Sequence, residues 1–315
     1  MTATNTKGIV LISLLLLTVG FNAAHAAEWQ VTRTFQIGFQ ALDEVSGISR
    51  SQRFDDVFWM HNDSGDQARL FAMNREGEIL FPKFLPFHGQ KAVKGRRPWQ
   101  GHRIDLAAHY DWEDIATDVD WIYVADTGNN GNARRDLGIY KIPDFEPGSI
   151  EKTRVIDYYP IRYPDQESFP ATRWHFDSEA LFIDGRYAYL LTKHRVAGRI
   201  DRFEAGSNLY RLDLEAKPRE ALLTKVDSSK TLFMVTAAEL SPDGQRLAVL
   251  GARRLSVFLR PPVGDAWLQQ PVESMDLEVS EVGQVEAVTW IDNGTLWVTS
   301  EAGRVFELAP PSSPP

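Results

Sequence analysis

From residue 29 onward the apolar residues come in short β-forming runs, and no long stripe of helical period interrupts them. Five runs stand out: FWMHND (58–63), WIYVADT (121–127), YAYLLTK (187–193), RLAVLGA (246–252) and TLWVTSE (295–301). Each is followed by a second run that carries an aromatic residue: RLFAMN (69–74), LGIYKI (137–142), NLYRLDL (208–214), LSVFLR (255–260) and RVFELA (304–309). Turn-forming stretches such as IDGR (183–186), SPDG (241–244) and IDNG (291–294) precede several of the first runs, which is the signature of hairpins. Further strands are predicted at TRVIDYY (153–159), EALLTKV (220–226) and ESMDLEV (273–279).

A shorter motif recurs ahead of each hairpin. It reads WEDIAT (112–117), SEAL (178–181), AELS (238–241) and VEAVTW (285–290), with EVSGIS (44–49) as an earlier copy. A glutamate stands before a small or apolar pair in four of them. In the first copy Ser46 takes that place, and Glu44 lies two residues upstream on the same strand face. The markers Ser46, Glu113, Glu179, Glu239 and Glu286 are 67, 66, 60 and 47 residues apart. A repeated four-stranded unit is the blade of a β-propeller, so the expected fold is all-β with five blades. Six blades, with one degenerate unit, is the alternative. The last unit runs out of chain after RVFELA, and WQVTRTFQI (29–37) supplies the missing strand, closing the ring and covering the sheet edges.

The first residues change the picture of location. Lys7, an apolar run and Ala24-His25-Ala26 read as a signal peptide over 1–26, leaving one propeller domain over 27–315. The chain has no cysteine, hence neither disulfides nor a lipoprotein anchor, and no later segment is apolar enough to span a bilayer. A monomeric periplasmic or secreted protein is expected. The formal charge of −9 argues against general nucleic-acid binding. One segment departs from this balance: residues 82–103 carry Lys83, Lys91, Lys94, Arg96, Arg97 and Arg103 without an acid, as a cationic lid or as a solvated insertion.

The repeated acids carry the candidate chemistry. The first strand of each propeller blade lines the central channel, so the markers converge near one mouth. Carboxylates brought that close are costly to ionise together. A bound cation resolves the repulsion, and several hard oxygen ligands suit Ca²⁺. The plainer alternative is that each glutamate hydrogen-bonds nearby backbone. Glu44, Ser46, Glu113, Glu179, Glu239 and Glu286 are the candidate metal ligands. DTGNNG (126–131) is no EF-hand, because Gly128 and Leu137 stand where ligands are needed.

Polar clusters end the second strands. Asn62, Asn129, Lys193, Arg195 and Arg253 are candidate ligand-binding residues, and Asp63 and Asp126 candidate general bases. Metal and cations together would suit a phosphorylated or other small anionic ligand. Ordinary turn chemistry explains the same Asn and Asp residues. No G-x-S-x-G, H-E-x-x-H or phosphate-binding helix motif is present.

SGI, WEDIA, SEAL and VEAV, with HNDSGD and ADTGNN after second strands, together resemble the calcium-binding propeller group. That group includes phytase-like propellers, calcium-activated nucleotidases and the gluconolactonase type. The nucleotidase resemblance implies five blades and a mixed Ser/Glu ring about calcium, mapping onto Ser46, Glu113, Glu179, Glu239 and Glu286. The pattern is also similar to calcium-regulated periplasmic propellers of pseudomonads, which implies calcium homeostasis. Two functions follow: a non-catalytic calcium-binding propeller acting through a protein partner, or a calcium-dependent phosphoester hydrolase.

Overall fold

The computed structural model describes residues 29–86, 88–89, 94 and 97–310. The segment 1–26 read as a signal peptide, Lys91 and Arg96 lie outside the described residues. Five antiparallel sheets surround one axis, and the expected five-bladed β-propeller is the observed fold. The inner strands are Val45–Arg50, Trp112–Thr117, Trp174–Asp184, Val235–Leu240 and Val285–Trp290, of blades I to V. Each packs against the inner strands of the blades on either side, so the ring is continuous.

Blade II shows why the sequence folds this way. Trp112–Thr117, Trp121–Asp126 and Gly138–Pro143 pair in succession, and the first two are almost wholly buried. Strands covered on both faces need continuous apolar runs rather than strict alternation. Neighbouring blades supply the cover: Leu181 and Leu190 of blade III pack with Tyr123 and Ile139 of blade II, and Ala237 and Leu250 of blade IV pack with Val288 and Val298 of blade V.

The outer strands differ from the sequence expectation in two blades. They run over Asp157–Arg162 and Thr224–Ser229, each beginning four residues later than the apolar runs at 153 and 220. The intervening residues are diverted outward. Lys152–Arg154 pairs in parallel with His102–Asp105 of blade I, and Ala221–Leu222 pairs in parallel with Ile161 and Arg162 of blade II. These short strands lace blades I to II and II to III at the perimeter. Of the basic insertion, His88–Gly89 pairs with Arg97–Pro98, and Arg103 pairs with Asp105 at 2.8 Å.

The chain closes its own ring. Gln30–Gln36 forms the outer strand of blade V, running antiparallel to Arg304–Ala309 from Gln30 beside Ala309 to Gln36 beside Arg304. Trp29 continues onto blade IV, where its indole N–H donates to Glu273 Oε2 at 2.6 Å. Its ring meets Trp290 edge-on, and Phe35 meets Trp297 in the same way. Deleting residues 29–36 is therefore expected to lower the melting temperature by about 10 °C or more. Thermal unfolding followed by circular dichroism checks this, and an unchanged midpoint would remove the closing role.

Candidate functional site at the upper mouth

One backbone irregularity repeats in all five inner strands. In blade II Trp112 faces Asp126 and Asp114 faces Ala125, so Glu113 is an extra residue with no partner opposite. The same one-residue step isolates Ser46, Glu179, Thr236 and Glu286. A β-bulge of this kind re-aims the side chain it carries. The five bulges lie at the end of the channel where the inner strands begin, the upper mouth.

Blade IV thus departs from the expected register. Its bulge residue is Thr236, and Glu239 lies three residues further along, lining the lower cavity of about 490 Å³. There Glu239 Oε1 accepts from Ser49 Oγ at 2.7 Å, and Oε2 accepts from the Trp290 backbone N–H at 2.5 Å. Glu239 is not at the mouth with the other markers. Ser46 and Thr236 use their hydroxyls to bind neighbouring blades: Ser46 Oγ donates to the Glu113 carbonyl at 2.8 Å, and Thr236 Oγ1 to the Val285 carbonyl at 3.1 Å. Glu44 is exposed and does not line the mouth cavity.

Glu113, Glu179 and Glu286 do line one cavity, of about 440 Å³, with Asp63, Asp111, Lys193, Arg195 and Arg253 also on its wall. It has two halves. In the first, Lys193 Nζ lies 2.7 Å from Glu179 Oε2, and Arg195 Nε lies 3.0 Å from Asp177 Oδ2. Burial alone would lower the Lys193 pKa, but Glu179, Glu286, Asp177 and Glu113 outweigh it and raise it. Asp177 is pushed up to about 7 by burial and by Glu179, against the pull of Lys193 and Arg195. Glu286 is pushed up to about 7 by burial, with Lys193 opposing and Glu179 assisting.

In the second half, carboxylate oxygens of Asp63, Asp111 and Glu113 lie within 4.8 Å of one another. Burial first, then Glu179 and Asp177, raises Glu113 well above the usual carboxylate range. Asp111 rises to about 6 by burial and by Asp63 and Asp177. Glu113 is only 6 % exposed. Among the described residues neither its carboxylate nor that of Asp111 has a hydrogen-bond or ion-pair partner. Gly128 explains the space around them: a Cβ there would run into both carboxylates.

The other polar residues hold the loops. Asp126 is 1 % exposed, bonded to Arg134 Nη2 at 2.9 Å and to the Asp111 backbone N–H at 3.2 Å, so it does not face the cavity as a base would. Asn62 Nδ2 donates to the Ala41 carbonyl and to Asp66. Asn129 Nδ2 donates to the Phe176 carbonyl, while its Oδ1 accepts from the Ala133 and Arg134 backbone N–H groups. Of the two candidate bases only Asp63 reaches the cavity. Asp111 and Asp177 were not singled out from the repeat. Each stands two residues before a bulge glutamate, in DWE (111–113) and DSE (177–179), and this spacing is a signal the sequence does contain.

One further acid belongs to the channel. The residues after the bulges are Gly47, Asp114, Ala180, Ala237 and Ala287, small in every blade but II. Asp114 Oδ2 crosses to accept the Leu181 N–H at 2.8 Å and the Ala238 N–H at 3.2 Å. Burial raises its pKa well above the usual range, although these N–H groups pull it back.

The family model described as the lipoprotein LpqB beta-propeller domain (Gmad1) matches residues 203–307, from blade III to blade V. No curated protein matches the chain. The PQQ-bound aldose sugar dehydrogenase of Streptomyces coelicolor is similar at 12 % identity and a TM-score of 0.48, over 90 % of this chain and 98 % of that one. A luciferin-regenerating enzyme is similar at 11 % identity and a TM-score of 0.45, over 87 % and 75 %. The WD40 domain of Neurospora crassa Pan2 is similar at 9 % identity and a TM-score of 0.41, over 92 % and 97 %.

Burial pushes Glu239 up to about 7, against the hydrogen bonds from Ser49 and Trp290 that favour its ionised form. A pKa raised in the folded state stabilises the fold fully below the unfolded value near 4.5, and that contribution is lost as pH rises through 7. Glu239→Gln keeps the neutral shape and removes the titration. Its melting temperature, relative to wild type, is expected to climb between about pH 5 and pH 8. Melts across that range read the difference, and a constant gap would show that Glu239 does not titrate there.

Proposed function

We propose that the protein is a calcium-binding propeller of the cell envelope, acting in calcium homeostasis or in signalling through a partner. The observation that carries this reading is Glu113: a buried carboxylate without a partner among the described residues, gathered with Asp63 and Asp111. Three hard anionic oxygens suit Ca²⁺, and the cradle left by Gly128 keeps their surroundings open. The ligand set differs from a ring of bulge residues. Lys193 already neutralises Glu179, Ser46 and Thr236 bind backbone, and Glu239 lies at the far end. Asp63, which follows a strand of blade I, and Asp111 and Glu113 of blade II would hold the ion. When bound it would supply the positive charge that these carboxylates lack. An envelope location is supported by the charged and apolar start of the chain and by the description of the matching family model. No helix among the described residues is long and apolar enough to cross a membrane.

Calcium-dependent phosphoester hydrolysis is the second reading, favoured by Asp63 and Arg253 lining the same cavity. It requires turnover of nucleotides or inositol phosphates by the purified protein that depends on calcium and falls in Asp63→Asn.

Binding to the folded state alone stabilises by mass action, by about 2.7 kcal/mol at a hundred times Kd. Calcium is expected to raise the melting temperature of the wild type, with the effect largely lost in Glu113→Gln and Asp111→Asn and kept in Glu239→Gln. Calorimetric titration measures binding directly. No heat of binding, or a calcium effect indifferent to Glu113, would overturn the assignment.

A further inference from the structure

We propose that the upper mouth docks a basic, apolar-flanked peptide segment of a protein partner, with one lysine or arginine side chain entering the Asp63, Asp111 and Glu113 half. This deepens the partner-signalling reading above and draws on the same carboxylates.

Charge selects the sign of the ligand. The cavity wall carries Asp63, Asp111, Glu113, Glu179 and Glu286 against Lys193, Arg195 and Arg253. Lys193 and Arg195 are already held by Glu179 and Asp177. Only Arg253, exposed at the rim, is left to face an incoming anion, whereas Asp63, Asp111 and Glu113 form no ion pair with a cation of the cavity wall, although Lys193, held by Glu179, feels the charge of Glu113. A small anionic ligand would meet net repulsion here, and a cation would meet attraction.

The rim selects the kind of cation. Phe203 of blade III, Met234 of blade IV and Val279 of blade V line the same cavity. Val279 is 45 % exposed, and close in sequence to the other two Ile200 is 57 % and Phe233 40 % exposed. These side chains come from three separate segments; the Phe203 ring also carries Lys193 and Arg195, while Val279, Ile200 and Phe233 stay exposed. An apolar collar around a buried acidic floor complements a chain segment whose basic side chain is flanked by apolar ones. A free inorganic ion would leave the collar uncovered. The volume of about 440 Å³ lies in the range of ligand pockets.

The fold itself shows how such a group is received. Lys193 Nζ sits 2.7 Å from Glu179, with the Phe203 ring 5.8 Å away, and Arg195 lies over the same ring at 4.5 Å. An ammonium or guanidinium from outside would repeat that arrangement on Glu113. Calcium and the basic side chain would then exclude one another, which gives the calcium reading its means of signalling: the ion releases the partner.

The test uses two synthetic peptides, acetyl-Phe-Leu-Lys-Leu-Phe-amide and the same peptide with Nε-acetyl-lysine, titrated calorimetrically into the full chain in the presence of a calcium chelator. The lysine peptide is expected to bind at least about tenfold more tightly. Glu113→Gln is expected to erase that preference, and Val279→Asp, at an exposed position, to weaken both peptides while circular dichroism stays native. Equal affinity for the two peptides, no binding of either, or a preference that survives Glu113→Gln would overturn the proposal. Calcium titrated alone keeps the two readings apart. If calcium does not bind but the lysine preference holds, docking stands and the calcium assignment falls. If both bind, calcium must raise the apparent Kd of the lysine peptide, and independence of the two would overturn the shared site.

Discussion

Two carboxylates inside the channel hold the ring of inner strands together. Asp114, on blade II, accepts backbone N–H groups from blades III and IV, and Glu239, on blade IV, accepts from blades V and I. Between them they reach all five inner strands. Backbone ladders bind strands within a blade, but adjacent blades meet mainly through apolar faces, which resist sliding poorly. A buried acceptor that must satisfy specific N–H groups resists it well, because any slip strands polar groups away from water. The positions following the bulges in blades I, III, IV and V are glycine or alanine, so the centre has room for the Asp114 carboxyl. Its position explains an acid in the middle of a run that otherwise reads as core.

The bulge then separates two uses of acid in one strand. Glu113 and Asp114 are consecutive, yet one faces the upper cavity without a partner and the other is bonded on both oxygens inside the channel. Without the extra residue, strand alternation would fix both directions relative to the ladder. The upper mouth thus gathers unpaired carboxyl groups beside a channel acid whose two oxygens are both bonded. Two answers to the same electrostatic strain sit side by side there. On the blade III side an internal lysine and arginine neutralise the acids. On the side of blades I and II, Asp63, Asp111 and Glu113 have no ion-pair partner among the described residues, and Arg134 only moderates Asp111 through space.

The blade count and the closing strand were legible in the sequence because both are written in long, repeated apolar runs, and burial on two faces demands those runs. The bulge acids of blades II, III and V were legible because glutamate recurs there at the start of an inner strand, ahead of Asp114-Ile115, Ala180-Leu181 and Ala287-Val288. Blade IV was misread for a physical reason. Its VTAAEL contains a glutamate before an apolar residue, but the bulge, set by pairing with Arg246–Gly251, lies three residues earlier at Thr236. A bulge is a property of two strands together and leaves no mark in one strand's residue types. Asp126 and Asn129 were drawn into the site because acids and amides after a strand serve ligands and turns alike. The tertiary partners Arg134, Phe176 and Asp177 decide between those roles, and they come from elsewhere in the chain.

The strand order of blade V also constrains time. Gln30 lies against Ala309, so the first and last strands of the described chain must meet before the last blade is complete. Such a pairing closes the longest loop the fold contains, and its entropic cost has to be met by contacts that form late. Four blades can assemble from strands near one another in sequence while the fifth remains a three-stranded sheet with an unpaired edge. Until the first strand arrives, that edge is the surface most able to pair with another molecule in the same state. Folding yield should thus be set by a race at this one seam, between the chain's own opening strand and a neighbour's.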